Sequence, residues 1–489
     1  MMTTQTLSLP RAFRFDGWFL RLSLALSGLL ALVQMAASGL VGTDGYYHVK
    51  MAALMRADLT PDFIWLPLTI LKPESYYDHH WLFHVLLSPF AGGNLILGGQ
   101  IAAVVFAAAA LAAGGWLLRT QHVPGATLWT IGMVAASSAF IYRLLMPRAQ
   151  SLSLLWLIVA MYLMIERRER WLIVLGLTYV WLYDAFPLLL VVAGVYFVAA
   201  RLVEGQWRWS VLIYSAIGLG LGLVFNPYFP QNLTFIYHHL IAKLDIASVK
   251  VGSEWYPYTT AQLMENSGVA LAAFVTGAFA LGWQRQRLSL PAAFSFGLSI
   301  VFGIMLLASR RFVEYFPAFA VLFCAFAWQP VLAERQFGRR LVMVLTVIVL
   351  AGAAYNVYRT RDLLQNDLPA EQFAGASEWL TANTPEGSLV FQTDWDDFTR
   401  LFFYNTHNVY TVGLDPTYLQ RADPDLYYLW VDITQGRGLD LSSAIREHFN
   451  AEYVVSDLKH KAFLERAEAD PQFEEVYRDE NSVVFKVTD

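Results

Sequence analysis

Charged residues are scarce in this chain of 489 residues, because Asp, Glu, Lys and Arg make up only 15% of it. Soluble proteins of this size carry about 25%. The shortage excludes a disordered chain, a basic nucleic-acid-binding protein and an ordinary cytosolic enzyme. Cysteine occurs once, at Cys324, which excludes intrachain disulfides and cysteine-based metal clusters. The sequence also has no Gly-rich phosphate loop, zincin motif, nucleophile elbow or internal repeat.

Apolar residues form 56% of the chain and are grouped in long runs. Many runs approach the length that crosses a bilayer, about 20 residues, and short polar or turn-rich pieces separate them. The 16 Trp and 24 Tyr fit the aromatic belts of membrane interfaces. We predict a polytopic α-helical membrane protein with about eleven spans, near residues 17–40, 94–118, 126–145, 150–165, 171–184, 186–200, 210–226, 268–284, 290–308, 312–329 and 341–358.

Charge divides the chain into two parts. Residues 359–489 contain 24 acidic and 11 basic residues, a net charge of −13, whereas residues 1–358 carry a net charge of +8. This asymmetry predicts a transmembrane domain over 1–358 and a soluble domain over 359–489. In the soluble part, helical stretches alternate with strand-like runs at 388–392, 409–412, 452–456 and 482–487, which is typical of a small α/β domain.

Basic clusters predict the orientation of the spans. They fall in alternate loops, which the positive-inside rule assigns to the cytoplasm. An odd number of spans then places the acidic domain outside, as expected for a multi-pass protein of the cell inner membrane. The basic residues concerned are Arg11, Arg14, Arg119, the cluster at 166–170, Arg201, Arg208, Arg285, Arg287, Arg335, Arg339 and Arg340.

The longest external loop, 41–93, begins with an acidic residue. Asp44 follows the first span directly. Tyr47 and Met51 then fall on one helical face, which predicts a short interfacial helix over 46–56. Asp44 is either a functional carboxylate or a helix cap, since Asp is common at helix N-termini.

The same loop contains three consecutive polar residues, Asp78-His79-His80, before an apolar run that starts at Trp81. Carboxylate and imidazole ligands suit Mn²⁺ or Mg²⁺, and imidazole also binds phosphate or carries a proton. The alternative is that these residues mark a membrane boundary. Function is favoured, because ionisable residues at membrane depth are costly.

A pair of arginines, Arg310-Arg311, lies at an external corner, where the positive-inside rule disfavours basic residues. Guanidinium groups bind phosphate oxygens in a bidentate manner, so the pair predicts a lipid-phosphate site. The alternative is an ion pair between Arg311 and Glu314, three residues later. Both can hold at once, with one arginine binding phosphate and the other pairing with Glu314.

Weaker signals come from four further residues in external loops and from one tail motif. Glu254 is a candidate loop carboxylate, and the remaining three are candidates for a structural ion pair: Arg143, Arg148 and Asp184. Trp395-Asp396-Asp397 follows a strand-like run. An acidic aromatic turn at a strand end either binds sugars or peptides or caps a helix.

Together these motifs resemble the GT-C glycosyltransferases. Asp44-Gly45-Tyr46-Tyr47-His48, the long first loop, Asp78-His79-His80 and a Trp-Asp motif in a soluble C-terminal domain look like the catalytic subunit of oligosaccharyltransferase. The eleven-span layout is more similar to protein O-mannosyltransferases. The first Trp of the oligosaccharyltransferase Trp-Trp-Asp motif is Asp394 here, and the loop 227–267 is short, so a peptide acceptor is not implied.

The resemblance implies transfer of a sugar from a polyprenyl-phosphate or -diphosphate carrier to a glycan, lipid or protein acceptor on the extracytoplasmic face. Asp44 and Asp78 match the catalytic acidic positions, with Asp44 as the base. Acceptor contacts are expected from Glu254, Trp395, Asp396 and Asp397. Donor-phosphate contacts are expected from His79, His80, Arg310 and Arg311, with or without a divalent cation (Mg²⁺ or Mn²⁺) held by Asp44, Asp78 and His79.

Two other classes of protein stay open on the residues alone. A lipid or glycolipid transporter or flippase would have ionisable residues in mid-span and an inverted repeat. The sequence has neither, since its external ionisable residues lie at span ends. In a non-catalytic envelope assembly protein the acidic tail would be the working part, and Asp44 and Asp78 would be replaceable.

Overall fold

The computed structural model describes residues 17–244, 252–283, 288–334, 338–438 and 440–488. The basic residues predicted to flank spans at positions 11, 14, 285, 287 and 335 lie outside these ranges. All of the apolar runs are helical, and the chain is an integral multi-pass membrane protein. Within these ranges, six helices are long and apolar enough to cross a membrane: α1 (Gly17–Gln34), α4 (Leu95–Thr120), α12 (Thr260–Trp283), α13 (Leu290–Ala308), α14 (Phe316–Glu334) and α15 (Arg339–Gln365).

The other apolar runs form shorter helices. Extended backbone at Ser137 divides the run 126–145 into two helices, and Pro147 and Pro187 stand where neighbouring helices stop or start. The total of about eleven spans therefore stays a prediction, because these helices lack the length that crosses a bilayer without tilt or distortion. They are α5 (Ala126–Ala136), α6 (Ser138–Leu144), α7 (Gln150–Ile165), α8 (Leu172–Leu182), α9 (Leu188–Glu204) and α10 (Trp209–Val224).

The first loop contains two helices, α2 (Asp44–Leu54) and α3 (Trp81–Leu87). The prediction of an interfacial helix lying on the membrane is wrong, because α2 is buried under the C-terminal domain. Its Tyr46 and Tyr47 contact Phe403 and Phe402, with ring centroids 5.1 Å and 5.8 Å apart. At Gly45 a Cβ atom would stand 2.4 Å from Pro147 Cγ, so only glycine lets α2 approach that corner.

The C-terminal domain has a five-stranded mixed sheet in the order β2-β1-β3-β5-β4, covered by helices. β1 pairs in parallel with β2 and β3, and β5 is antiparallel to β3 and β4. The sequence pattern missed β4, whose exposed, charged residues mark an edge strand. The strands are β1 (Leu389–Gln392), β2 (Val409–Tyr410), β3 (Tyr453–Asp457), β4 (Phe473–Arg478) and β5 (Ser482–Val487).

The helices of the second half complete the element order. α15 continues past the predicted domain boundary at 358/359 to Gln365, because no breaker interrupts it. The remaining helices are α11 (Gln231–Leu244), α16 (Ala374–Asn383), α17 (Phe398–Tyr404), α18 (Thr417–Ala422), α19 (Pro424–Thr434), α20 (Leu441–Phe449) and α21 (Lys461–Ala469).

The two parts of the chain share one aromatic core. Phe63 of the first loop lies with Phe398 and Phe402 of α17 in a single buried cluster. Backbone pairing adds to this contact, since the Tyr410 N–H donates to the Trp65 carbonyl at 2.9 Å. The C-terminal domain therefore fixes the first loop in place, which positions the residues that follow Asp44.

Candidate active site

A cavity of about 420 Å³ lies where the first loop, the external corners of the helices and the C-terminal domain meet. It receives seven of the ten residues to which the resemblance gives a catalytic, donor-binding or acceptor-binding role. These are Asp44, His79, His80, Glu254, Arg311, Trp395 and Asp396. The other three, Asp78, Arg310 and Asp397, do not line it.

Three arginines from two corners surround one carboxylate, and we call them the arginine cluster: Arg143, Arg148 and Arg311. Glu254 accepts from Arg143 Nη1 at 2.7 Å and from Arg311 Nη1 at 3.1 Å, and Arg148 Nη1 lies 3.5 Å away. Burial works against ionisation of Glu254, but the arginines outweigh it and hold the pKa of this carboxyl well below its usual value. All four groups are therefore charged at neutral pH.

Local structure explains how the cluster forms. Arg143 lies in the last turn of α6, and Pro147 prevents the helix from continuing, which leaves Arg148 on a corner before α7. Arg311 lies in a short 3₁₀ helix before α14 and donates to the Tyr183 hydroxyl at 2.8 Å. Its guanidinium also stacks over the Trp255 ring at 4.8 Å.

The other arginine of the predicted pair, Arg310, does not line the cavity. Arg310 donates to the carbonyls of Tyr256 and Pro257 at 3.2 Å and 3.3 Å, away from the cavity. It thereby ties the loop that carries Glu254 to the corner at 309–311. Neighbouring residues on a helical turn point in different directions, so only one member of the pair lines the cavity.

The predicted ion pairs have different partners in the structure. Glu314 pairs with Arg143, whose Nε donates at 2.7 Å, rather than with Arg311. Asp184 contacts His239 Nε2 at 2.8 Å, so Asp184 is not an ionic partner of Arg143 or Arg148 in the contacts described. Sequence spacing of three residues suggested Arg311–Glu314, but a corner between helices does not keep helical geometry.

Asp44 stands at the N-terminus of α2, with its side chain 32% exposed to the cavity side and one oxygen 3.3 Å from Arg148 Nη2. The preceding residue, Thr43, donates to Asp396 Oδ1 at 2.8 Å. Burial and the nearby charge of Asp44 raise the pKa of Asp396 to about 7. Two carboxyl groups from opposite domains thus meet here, one charged and one close to its titration point.

The other side of the cavity is built of imidazoles, which we call the histidine cluster: His48, His79 and His80. The ring centroids of His48 and His79 lie 4.8 Å and 4.1 Å from that of His80. His80 Nδ1 is buried and has no hydrogen-bond partner within the described residues. An unpaired buried nitrogen is costly, so this atom suits a ligand oxygen or a water.

Asp78 lies behind this cluster, not in the cavity. It is 1% exposed, accepts from the His80 N–H at 3.0 Å and contacts His84 Nδ1 at 2.6 Å. His84 Nε2 in turn contacts His48 Nδ1 at 2.8 Å. Sequence reasoning missed His48 and His84, although His48 follows Asp44 by one helical turn and so shares its helix face.

The predicted metal ligands do not converge, because Asp78 is turned away from the cavity that Asp44 and His79 line. Over the described ranges, no group of three or more His, Cys, Asp and Glu side chains is arranged to hold a metal ion. The residues therefore do not fit the predicted Asp44, Asp78 and His79 set, and no step is assigned to a cation.

In the tail motif, Trp395 and Asp396 line the cavity and Asp397 does not. Asp397 occupies the cap position of α17 without a side-chain cap hydrogen bond, and its Oδ2 is buried without a partner among the described atoms. Burial, followed by the charge of Asp394, raises the pKa of Asp397 well above its usual value. This residue belongs to the domain interior and not to the cavity.

No protein-family model matches the sequence, and no curated protein matches it significantly. Solved structures do match. The archaeal oligosaccharyltransferase AglB from Archaeoglobus fulgidus, in complex with an inhibitory peptide and a dolichol-phosphate, superposes with a TM-score of 0.66 at 14% identity. The match covers 93% of this chain and 71% of AglB.

ArnT from Cupriavidus metallidurans, bound to undecaprenyl phosphate, matches over nearly the whole of both proteins. Its TM-score is 0.61 at 17% identity, and the match covers 96% of this chain and 98% of ArnT. The mycobacterial arabinofuranosyltransferase AftD has a TM-score of 0.54 at 13% identity, with 96% and 42% covered. The fold is that of the GT-C glycosyltransferases, which confirms the likeness that the motifs suggested; sequence identity this low establishes the fold alone.

Proposed function

We propose that the protein transfers a sugar from a polyprenyl-phosphate or -diphosphate carrier to an acceptor on the extracytoplasmic face. The observation that carries this proposal is one cavity, in a GT-C fold, that is lined by three arginines, by Asp44 and by a group of imidazoles. AglB and ArnT were solved with dolichol-phosphate and undecaprenyl phosphate, which supports a lipid phosphate as the donor's leaving group.

The arginine cluster suits the leaving phosphate. Fixed guanidinium groups stabilise charge that develops on phosphate oxygens, and they do so best where water is excluded. Glu254 now occupies Arg143, Arg148 and Arg311 as an internal anion. A donor phosphate replaces at least part of these contacts, with Arg311 rather than Arg310 as the member of the pair that reaches it.

Asp44 suits the acceptor side. It contacts the attacking hydroxyl or amide as its base or as the group that orients it. The attacking atom forms a bond to the anomeric carbon while the bond from that carbon to the phosphate oxygen breaks, and the electron pair leaves with the phosphate. His79 and His80 line the same cavity and hydrogen-bond the phosphate or the sugar.

The acceptor contacts proposed for Trp395 and Asp396 rest on their place at the cavity rim, on the C-terminal domain. An indole ring stacks on a sugar face, and a carboxyl group binds its hydroxyls. Glu254, released by the arriving phosphate, is the third acidic group available to an acceptor. Asp397 is left out of this set because it faces the domain interior.

Mass spectrometry of lipids that copurify with the protein tests the donor. A bound polyprenyl phosphate or its sugar conjugate supports the proposal. A transfer assay with that lipid, with wild type and Asp44→Asn, tests the chemistry. Movement of an intact lipid between leaflets without sugar transfer would instead indicate the flippase, and normal envelope assembly after replacement of both Asp44 and Asp78 would indicate a non-catalytic protein.

A further inference from the structure

A chain of hydrogen bonds leads from a buried carboxylate to the cavity. Asp78 Oδ2 contacts His84 Nδ1 at 2.6 Å, and His84 Nε2 contacts His48 Nδ1 at 2.8 Å. The links come from three places in the first loop: the turn before α3, α3 itself and α2. His84 is fully buried and His48 is 4% exposed, so the chain is shielded from bulk water.

The carboxylate fixes the protons on both imidazoles. Ionised Asp78 only accepts, so His84 donates from Nδ1 and presents a lone pair at Nε2. His48 must then donate from its own Nδ1, which leaves the lone pair of His48 on Nε2. His48 lines the cavity, and its Nε2 is the ring nitrogen that the chain does not use. The relay thus prepares a proton acceptor at the cavity wall.

His48 also lies in the right place relative to Asp44. The two residues are four apart on α2, which puts them on the same face of the helix and in the same cavity. Asp44 already pairs with Arg148, since its Oδ2 lies 3.3 Å from Arg148 Nη2.

The surroundings keep His48 neutral when the enzyme is at rest. Burial lowers the pKa of His48 well below its ordinary value, and the positive charge carried by His84 when protonated and by Arg148 acts in the same direction. The groups that face His48 from neighbouring elements, together with the carboxylate on its own helix, are His79, His80, His84, Arg148 and Asp44.

We propose that His48 is the general base of the transfer, with His84 and Asp78 as positioning residues, and that Asp44 orients the acceptor. This inference rests on the proposed function. The acceptor proton moves to His48 Nε2 as the attacking atom bonds to the anomeric carbon. The Nδ1 proton of His48 shifts toward His84, the Nδ1 proton of His84 shifts toward Asp78, and the electron pair of the broken bond leaves on the phosphate.

The test compares the kinetics of His48→Gln, His84→Gln and the wild type between about pH 5 and pH 9, with the copurified polyprenyl-linked sugar as donor. For His48→Gln we expect kcat to fall about 100-fold or more, with the acidic limb of the pH profile lost and the donor KM nearly unchanged. In His84→Gln, a glutamine oxygen still accepts from His48 but does not pass a proton on. Its kcat falls about tenfold, and the acidic limb moves to lower pH, because His48 loses its carboxylate-backed partner.

His448→Gln, at an exposed histidine of α20, is the matched control and keeps wild-type kinetics. Retention of copurified lipid and an unchanged elution volume show that each variant is folded. If His48→Gln keeps the acidic limb and its kcat stays within about threefold of the wild type, the relay is structural and Asp44 is the base. If the wild type itself transfers no sugar, the proposed function fails, and the relay role fails with it.

Discussion

The two sides of the cavity differ in how they handle charge. The arginine cluster is permanently ionised and already holds an anion, Glu254. In the histidine cluster, burial lowers the pKa values of His48 and His80 well below their ordinary value, and His84 links the His48 imidazole to the carboxylate of Asp78. In the proposed reaction, the side with fixed positive charge stabilises the leaving phosphate, and the side with imidazoles accepts a proton. The comparison explains why one small cavity needs both.

Asp44→Asn is expected to give the largest effect. The amide keeps the size of the side chain but loses the charge that faces Arg148 and to which we assign the orientation of the acceptor. We expect transfer to fall about 1000-fold or more, measured as turnover of labelled donor. Glu386→Gln, at an exposed residue that does not line the cavity, serves as control. Full turnover by Asp44→Asn would contradict the proposed role of Asp44 in binding the acceptor.

A comparison of Arg311→Gln with Arg310→Gln tests which guanidinium of this corner binds the donor phosphate. Arg311 lines the cavity and Arg310 binds loop carbonyls, although the two are neighbours in the chain. We expect kcat to fall about 100-fold for Arg311→Gln and less than about fivefold for Arg310→Gln. Equal losses would mean that the whole corner, rather than one guanidinium, holds the phosphate.

The pH dependence of stability tests the meeting of the two domains at Asp396. Burial, followed by the charge of Asp44, raises the pKa of Asp396 to about 7 in the folded protein, although the hydrogen bond from Thr43 works in the opposite direction. An acid with a raised folded pKa costs stability as pH rises from the unfolded value to the folded one. The wild type therefore loses Tm between about pH 4 and pH 7 relative to Asp396→Asn. Parallel Tm curves, measured by scanning fluorimetry in detergent, would contradict this prediction.

Chelation is expected to give the smallest effect. The predicted ligands Asp44, Asp78 and His79 do not converge in the described residues, and in the proposed reaction the arginine cluster supplies the positive charge. We expect EDTA to change transfer less than about twofold. A large loss that Mg²⁺ or Mn²⁺ restores would show that the cavity rearranges around a cation when donor binds.

Much of the architecture follows from local pattern. The apolar runs became helices and the tail became a mixed sheet, because hydrophobic periodicity and strand composition are properties of short stretches. The GT-C likeness also came from short motifs and layout, and the superposition on AglB and ArnT agrees with it. The sequence pattern did not predict β4, because an edge strand that contains Glu474 and Glu475 lacks the alternation of apolar and polar residues.

The site was predictable only in part. Single motifs drew attention to Asp44 and to Arg310-Arg311, but not to the bonds between Asp78, His84 and His48. Those bonds join residues 6 and 36 positions apart, and no helical or strand period gives such separations. Arg143 and Arg148 seemed to be candidates for an ordinary ion pair until Glu254, more than 100 residues later, was found between them.

The sequence alone determined that this is a membrane protein with an acidic α/β domain, because bilayer length and charge asymmetry act on composition. Only the tertiary structure decided which of two adjacent arginines faces the cavity and which carboxylate lies behind the histidines. The physical reason is that direction and burial depend on neighbours from distant stretches. Here α2 packs against Pro147 through Gly45, and it packs against α17 through an aromatic contact. No local sequence pattern encodes these contacts.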